Sequence, residues 1–155
     1  MIKVRKDLLE SLSKEAAASA RKRKNHNFHT EESDPLQHML NAVEPASYIR
    51  PHKHLNPDKR EAFIILKGRM VVVEFDDKGA ISDHIILDAS LENYAAEIIP
   101  ASWHTVISLQ SGSVYYEIKD GPYDSKTDKI FAEWSPEEGT AEADQYLKTL
   151  REKIV

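Results

Sequence analysis

Apolar residues recur at steps of four through the first segment, at Leu8, Leu12, Ala16 and Ala20. That period predicts an amphipathic helix from about Asp7 to Lys24, its narrow alanine-rich stripe packed against the body or a partner subunit. The polar stretch NHNFHTEESDP that follows ends in Pro35 and reads as a loop. From Leu36 the pattern changes to short apolar runs broken by turn residues: LQHMLNAV, Tyr48 to His54, Glu61 to Leu66, MVVVEF, ISDHIIL, AAEIIP, HTVISL and SVYYEIK. Strand-like runs at intervals of about ten residues predict a mainly β fold, a small antiparallel barrel or sandwich. Asp76-Asp77-Lys78-Gly79 supplies a hairpin turn in which the glycine can take a positive φ. GPYDSKTDKIFAEW reads as a long loop with one short strand, anchored by Tyr123, Phe131 and Trp134. In SPEE, a serine N-cap, a proline and a glutamate signal a helix start, and Ala143, Tyr146, Leu147, Leu150 and Ile154 carry the helical spacing onward. The expected organisation is one domain over residues 1–155, with a helix and loop to about residue 34, the β region over 35–134 and a C-terminal helix over 135–155.

Composition narrows the function classes. A net charge of −5 gives no general affinity for nucleic acid or anionic membrane. The cluster RKRK, Arg21 to Lys24, is the exception; it reads as the cationic end of the first helix, with an anion-binding arm as the alternative. Cysteine is absent, which excludes disulfides, thiolate ligands and a cysteine nucleophile, and leaves His, Asp and Glu for a tight metal site. Charges at Lys3, Arg5, Lys6, Asp7 and Glu10 interrupt any signal-like apolar stretch, and no run has membrane-spanning length, so a cytoplasmic protein is expected.

The chemistry gathers in YIRPHKHLNPDKREAFIILKG and PASWHTVIS. His52 and His54 alternate with one residue between them, so on a strand both imidazoles share a face. Glu61 opens one apolar run and His104 another, which offers three imidazoles and a carboxylate to a divalent metal. Zinc, iron, manganese, nickel and cobalt all suit such ligands. If the strand through Tyr48 is regular, Tyr48 and Arg50 lie on the ligand face as a proton relay and an anion clamp. Arg69, Tyr116, Glu117 and Lys129 are further pocket candidates. His26 and His29 read as solvent-exposed, His38 as packing or surface, and His84 as an ordinary surface histidine.

HKH, then Glu61, Gly68 seven residues later, and Pro100 with His104 resemble the two cupin motifs. The loop between His54 and Glu61 is longer than the family pattern, and Ser102 stands where the second motif usually has glycine. MLNAVEPASYIRPHKH, FDDKG, GPY at Gly121 to Tyr123, and DKIFAEW followed by PEEG are similar to WbuC-type cupin-fold metalloproteins, over most of the chain. The resemblance implies a double-stranded β-helix barrel, metal ligands at His52, His54, Glu61 and His104, and a place among surface-polysaccharide and O-antigen proteins. It implies no reaction.

Three functions follow as expectations. The first is a metal-dependent enzyme acting on a sugar or nucleotide-sugar, isomerase- or epimerase-like. The second is an iron-dependent cupin oxygenase, and the third a non-catalytic module that binds a small ligand. A homodimer is expected in each case, because helices at both ends and several edge strands need cover.

Overall fold

A computed structural model describes residues 1–154. Helix α1 (Lys6–Ala18) is followed by β1 (Arg23–Asn27), β2 (Leu36–Val43), β3 (His52–Lys53), β4 (Glu61–Lys67), β5 (Met70–Phe75) and β6 (Ile81–Leu87). Strands β7 (Ala95–Ile98), β8 (Trp103–Ser108), β9 (Ser113–Asp120) and β10 (Ile130–Phe131) precede helix α2 (Ala141–Ile154). The strands form two five-stranded antiparallel sheets, in the orders β1-β2-β9-β4-β7 and β10-β3-β8-β5-β6. They stack as a sandwich and do not close into a barrel. Among the described residues no helix is long and apolar enough to cross a membrane.

Between the sheets, Val43, Phe63, Ile65, Met70, Val72, Leu87, Val106 and Tyr115 make the main core. The outer faces are covered by the helices. On the first sheet Leu12 and Ala16 of α1 pack on Leu40, Ala42 and Val114. Over the second, Ala143, Leu147 and Leu150 of α2 meet Val71, Val73, Phe75 and Ile107. Strand β5 is therefore apolar on both faces, which explains why its run MVVVEF lacks the alternation of a half-solvated strand. Burying each leucine of α2 contributes on the order of 1.5–3 kcal/mol.

Four local expectations need correcting. Helix α1 ends at Ala18, not Lys24, because Ser19 is extended and its hydroxyl donates to Ala16 O and accepts from Arg23 N, closing a turn. Arg21 to Lys24 is thus no helix terminus. Its second half, with Asn25 to Asn27 from the expected loop, is edge strand β1, paired antiparallel to β2 from Arg23↔Val43 to Asn27↔Met39. The expected strand from Tyr48 to His54 shrinks to His52–Lys53, since Pro51 has no N–H to give a ladder and its carbonyl instead accepts from Ala132 N. At the C-terminus the helix starts at Ala141 rather than at Ser135. Thr140 Oγ1 accepts from Ala143 N there, while the Ser135 hydroxyl donates to Ala132 O.

Candidate metal centre

The two sheets bring the four expected ligands together. His52 of β3 and His104 of β8 are directly opposed across one sheet, and His54 follows just past the end of β3. Glu61 opens β4 on the facing sheet and reaches across the sandwich. Ring centroids lie 4.5 Å apart for His52 and His104, 5.2 Å for His52 and His54, and 5.6 Å for His54 and His104. One ligand atom from each of the four lies within 4.8 Å of the others, and all four side chains are buried.

The outer ring nitrogens are already committed. Nδ1 of His52 bonds Arg50 O at 2.9 Å, Nδ1 of His104 bonds Ser102 O at 2.9 Å, and Nδ1 of His54 bonds Asp128 O. A carbonyl only accepts, so each Nδ1 carries the proton and each neutral ring turns a bare Nε2 inward. The Nε2 atoms of His104 and His54 stand 2.9 and 3.3 Å from Glu61 Oε2, while that of His52 has no partner. Lone pairs therefore converge on a carboxylate with no hydrogen to share. Only a cation, a proton or a metal ion, makes that arrangement favourable, and three imidazoles with one carboxylate are a donor set for a divalent metal.

Electrostatics agree with this. Burial, reinforced by Lys129 and His104, holds the His52 imidazole well below its ordinary value, so it stays neutral. Burial alone would raise Glu61; its contacts with His104 and His54, which favour the carboxylate once a proton or a metal ion lies between them, outweigh it and keep the carboxyl well below its usual range. Glu117, beside it, is pushed well up by burial and by the Glu61 charge. Burial disfavours the Lys119 ammonium, yet Glu61, Glu117 and Asp128 together raise it. On Lys129 burial prevails, and its value is lowered.

A network behind His54 holds the loop from Gly121 to Lys129 in place. Lys59 Nζ donates to Asp128 Oδ1 at 2.6 Å and to Pro122 O at 2.6 Å, while Lys119 Nζ donates to Asp128 Oδ2 at 2.7 Å. All three side chains are buried. One aspartate thus pairs with two lysines and offers its backbone carbonyl to a candidate ligand.

The ligand cluster lies in a cavity of about 380 Å³ between the sheets, within the usual size of small-molecule sites. Glu117 and Lys129 line it. The other candidates lie elsewhere. Tyr48 is buried in the α2 cluster, its hydroxyl donating to Pro136 O. Arg50 donates to Ser135 Oγ and Ala132 O. Without a regular strand, the shared face assumed for Tyr48, Arg50 and His52 does not exist. Arg69 lies 3.8 Å from Asp88, and the Tyr116 hydroxyl meets His38 Nδ1 at 2.9 Å on the opposite face of β9 from Glu117. His26 and His84 are exposed, but half-buried His29 lines the cavity.

Several cavity residues had escaped the sequence reading: Asn25, Asn27, Asn41, Lys119 and Asp128. Lys119 was accessible in principle, since it shares a strand face with Glu117 two residues away. Asn25 and Asn27 carry the same period-two signal on β1, but without apolar residues to mark it.

A family model described as "Domain of unknown function (DUF6016)" matches residues 4–87, from the N-terminal helix through β6, including His52, His54 and Glu61. No curated protein matches the chain. Among solved structures, KdgF from Halomonas sp. is similar at 12% identity and a TM-score of 0.51, over 67% of this chain and 82% of that one. CapF, the capsular polysaccharide assembling protein of Staphylococcus aureus, is similar at 19% identity and a TM-score of 0.57, over 74% of this chain and 30% of that one. Oxalate decarboxylase of Bacillus subtilis, described with Mn(II) centres, is similar at 17% identity and a TM-score of 0.52, over 70% of this chain and 27% of that one. The chain therefore spans less than a third of the length of those last two proteins. At these identities the likeness establishes a cupin fold.

Proposed function

The chain belongs to the family described as "Domain of unknown function (DUF6016)" and has a cupin fold; from that premise we propose that it is a metalloprotein holding one divalent ion through His52, His54, Glu61 and His104. The observation that carries this is the convergence of three Nε2 atoms and a carboxylate whose outer nitrogens are all held by carbonyls. We further propose a metal-dependent enzyme of WbuC type that acts on a sugar or nucleotide-sugar in surface-polysaccharide assembly. The sequence resemblance and the polysaccharide role in the description of CapF support that finer reading. A cytoplasmic homodimer belongs to the same reading, and exposed Leu66, Tyr94 and Ile99 offer apolar surface that a second copy would cover.

An ion at this position supplies a Lewis acid for a carbonyl or hydroxyl oxygen of the ligand. The protein's own groups do the rest. His52, His54 and His104 are locked in orientation by Arg50, Asp128 and Ser102 carbonyls, so the site needs little reorganisation on loading. Glu117 lines the cavity beside Glu61 and is held by Asn41 Nδ2 at 2.8 Å, which places a carboxyl group where a proton can be moved. Tyr48 and Arg50 act from behind, as packing and as the carbonyl that orients His52.

Elemental analysis of protein made without a histidine tag or chelator tests the metal. Near-stoichiometric metal in the parent, lost in His52→Ala and His104→Ala, is the expected result. A parent that takes up none of zinc, manganese, iron, nickel or cobalt would overturn it.

A further inference from the structure

We propose that the cavity takes an anionic polyol, a sugar acid: Lys129 binds its carboxylate beside the four ligands, and the amides of β1 and β2 bind its hydroxyls. This rests on the metal reading only in placing the acid group near the ligand cluster.

The first observation is an unmatched cation. Lys119 and Lys59 are both spent on Asp128, at 2.7 and 2.6 Å. Lys129 lines the same cavity and, among the described residues, forms no ion pair. Glu61 and Glu117 act on it only from beyond ion-pair distance, Glu61 lying against His54 and His104 and Glu117 accepting from Asn41. A divalent ion at the ligand cluster would add positive charge to that end of the cavity. A ligand with a carboxylate there meets an ammonium that forms no ion pair, at the exposed rim of a cavity whose floor is the buried ligand cluster.

The second observation is the chemistry of the wall. Strand β1 adds Arg23, Asn25 and Asn27 to the cavity at alternate positions, and β2 adds Gln37, Met39 and Asn41. Arg23 is bound to Glu138, Ser47 and the Tyr48 carbonyl, so it is already occupied. Asn25 Nδ2 donates to Asn27 Oδ1 at 2.6 Å. This leaves Asn25 Oδ1 and Asn27 Nδ2, one acceptor and one donor, without a protein partner among the described residues. Adjacent hydroxyls each donate and accept, so such a pair suits a diol. An apolar ligand would leave these groups unsatisfied at a cost.

Titration calorimetry with D-glucuronate and with D-glucose, which differ in a carboxylate against a hydroxymethyl, tests this on the Mn²⁺-loaded protein. Glucuronate is expected to bind at least tenfold tighter than glucose, a difference of about 1.4 kcal/mol. Lys129→Met should abolish that preference while retaining metal, and Lys129→Arg should keep it. Asn25→Ala with Asn27→Ala should weaken both ligands several-fold. Equal affinities in the parent, no saturable glucuronate binding, or a preference that survives Lys129→Met would overturn the proposal. Repeating the titration with EDTA separates it from the metal reading: a Lys129-dependent preference that persists in the chelated protein supports the sugar-acid site whatever the elemental analysis finds.

Discussion

Two groups of three histidines differ in how their rings are held, and only one of them is built to coordinate. His26 of β1, His38 of β2 and His29 in the loop between them form one group, with His29 and His38 rings 6.3 Å apart, close to the 4.5–5.6 Å of the buried trio. Their nitrogens point to different tasks. His29 Nδ1 lies against the His38 backbone, His38 Nδ1 meets the Tyr116 hydroxyl, and the rings of His26 and His38 pack on Phe28. Among the described residues no carboxylate joins them. In the buried trio every Nδ1 is held by a carbonyl, so every Nε2 turns to one point, where Glu61 already waits. Proximity of imidazoles is common to both groups; convergence of committed rings on a buried carboxylate is not.

The sharpest way to break the contrast is to remove what holds the inner trio. Asp128→Asn would leave two buried lysines facing a neutral amide, and a loss of about 3–5 kcal/mol is expected in urea denaturation. Weaker metal binding should accompany it, because the same residue positions His54. A cost no larger than that of an exposed pair would mean that the network does not brace the site.

Metal-linked stability comes next in size. At a free metal concentration a hundred times Kd, the parent should gain about 2.7 kcal/mol over the chelated protein. His52→Ala should show no such gain, whereas His26→Ala and His38→Ala should keep it in full. If an outer variant also lost the gain, the division between the two groups would fail.

A smaller effect is expected at the partly exposed Arg21–Arg23–Glu138 cluster. Burial would raise the Glu138 carboxyl, but hydrogen bonds from Arg21 and Arg23 outweigh it and lower its value from 4.5 to about 2. A carboxyl depressed on folding contributes stability above its unfolded value, and that contribution disappears as pH falls from about 4.5 towards 2. Stability measured against pH should therefore fall less steeply through that window in Glu138→Gln than in the parent. Parallel curves would rule the pair out as a contributor. Solvent screening keeps the effect modest.

Smallest of all, Tyr116→Phe removes the hydroxyl that meets His38 and should cost about 1 kcal/mol in thermal or urea unfolding, with metal content untouched. A change in metal content would tie the outer histidines to the centre after all.

Much of this was legible along the chain, for identifiable reasons. The runs that became β2 and β4 to β9 bury apolar side chains, so hydrophobic patterning marks them. Strand β1 carries no such mark, because its inward residues face a polar cavity rather than the core. The ligand set was visible from His52, Glu61 and His104 at the starts of strands and His54 just beyond one. Among the remaining candidates, adjacency itself forbade a common site: Tyr116 and Glu117 are neighbours on β9 and must face opposite ways, so only Glu117 enters the cavity. Tyr48 and Arg50 were placed by an alternation that Pro51 interrupts.

By itself the sequence determined a mainly β protein with a helix near each end, and four residues, three histidines and a glutamate, able to hold a divalent ion, because period and ligand chemistry are local properties. Only the tertiary structure decided that the sheets stack without closing and that α1 and α2 cover their outer faces. It alone decided that Arg50, Ser102 and Asp128 carbonyls aim the three imidazoles, and that Lys129 and the β1 amides share their cavity. Those relations join residues far apart in the chain, and their energies exist only once folding has brought the partners together.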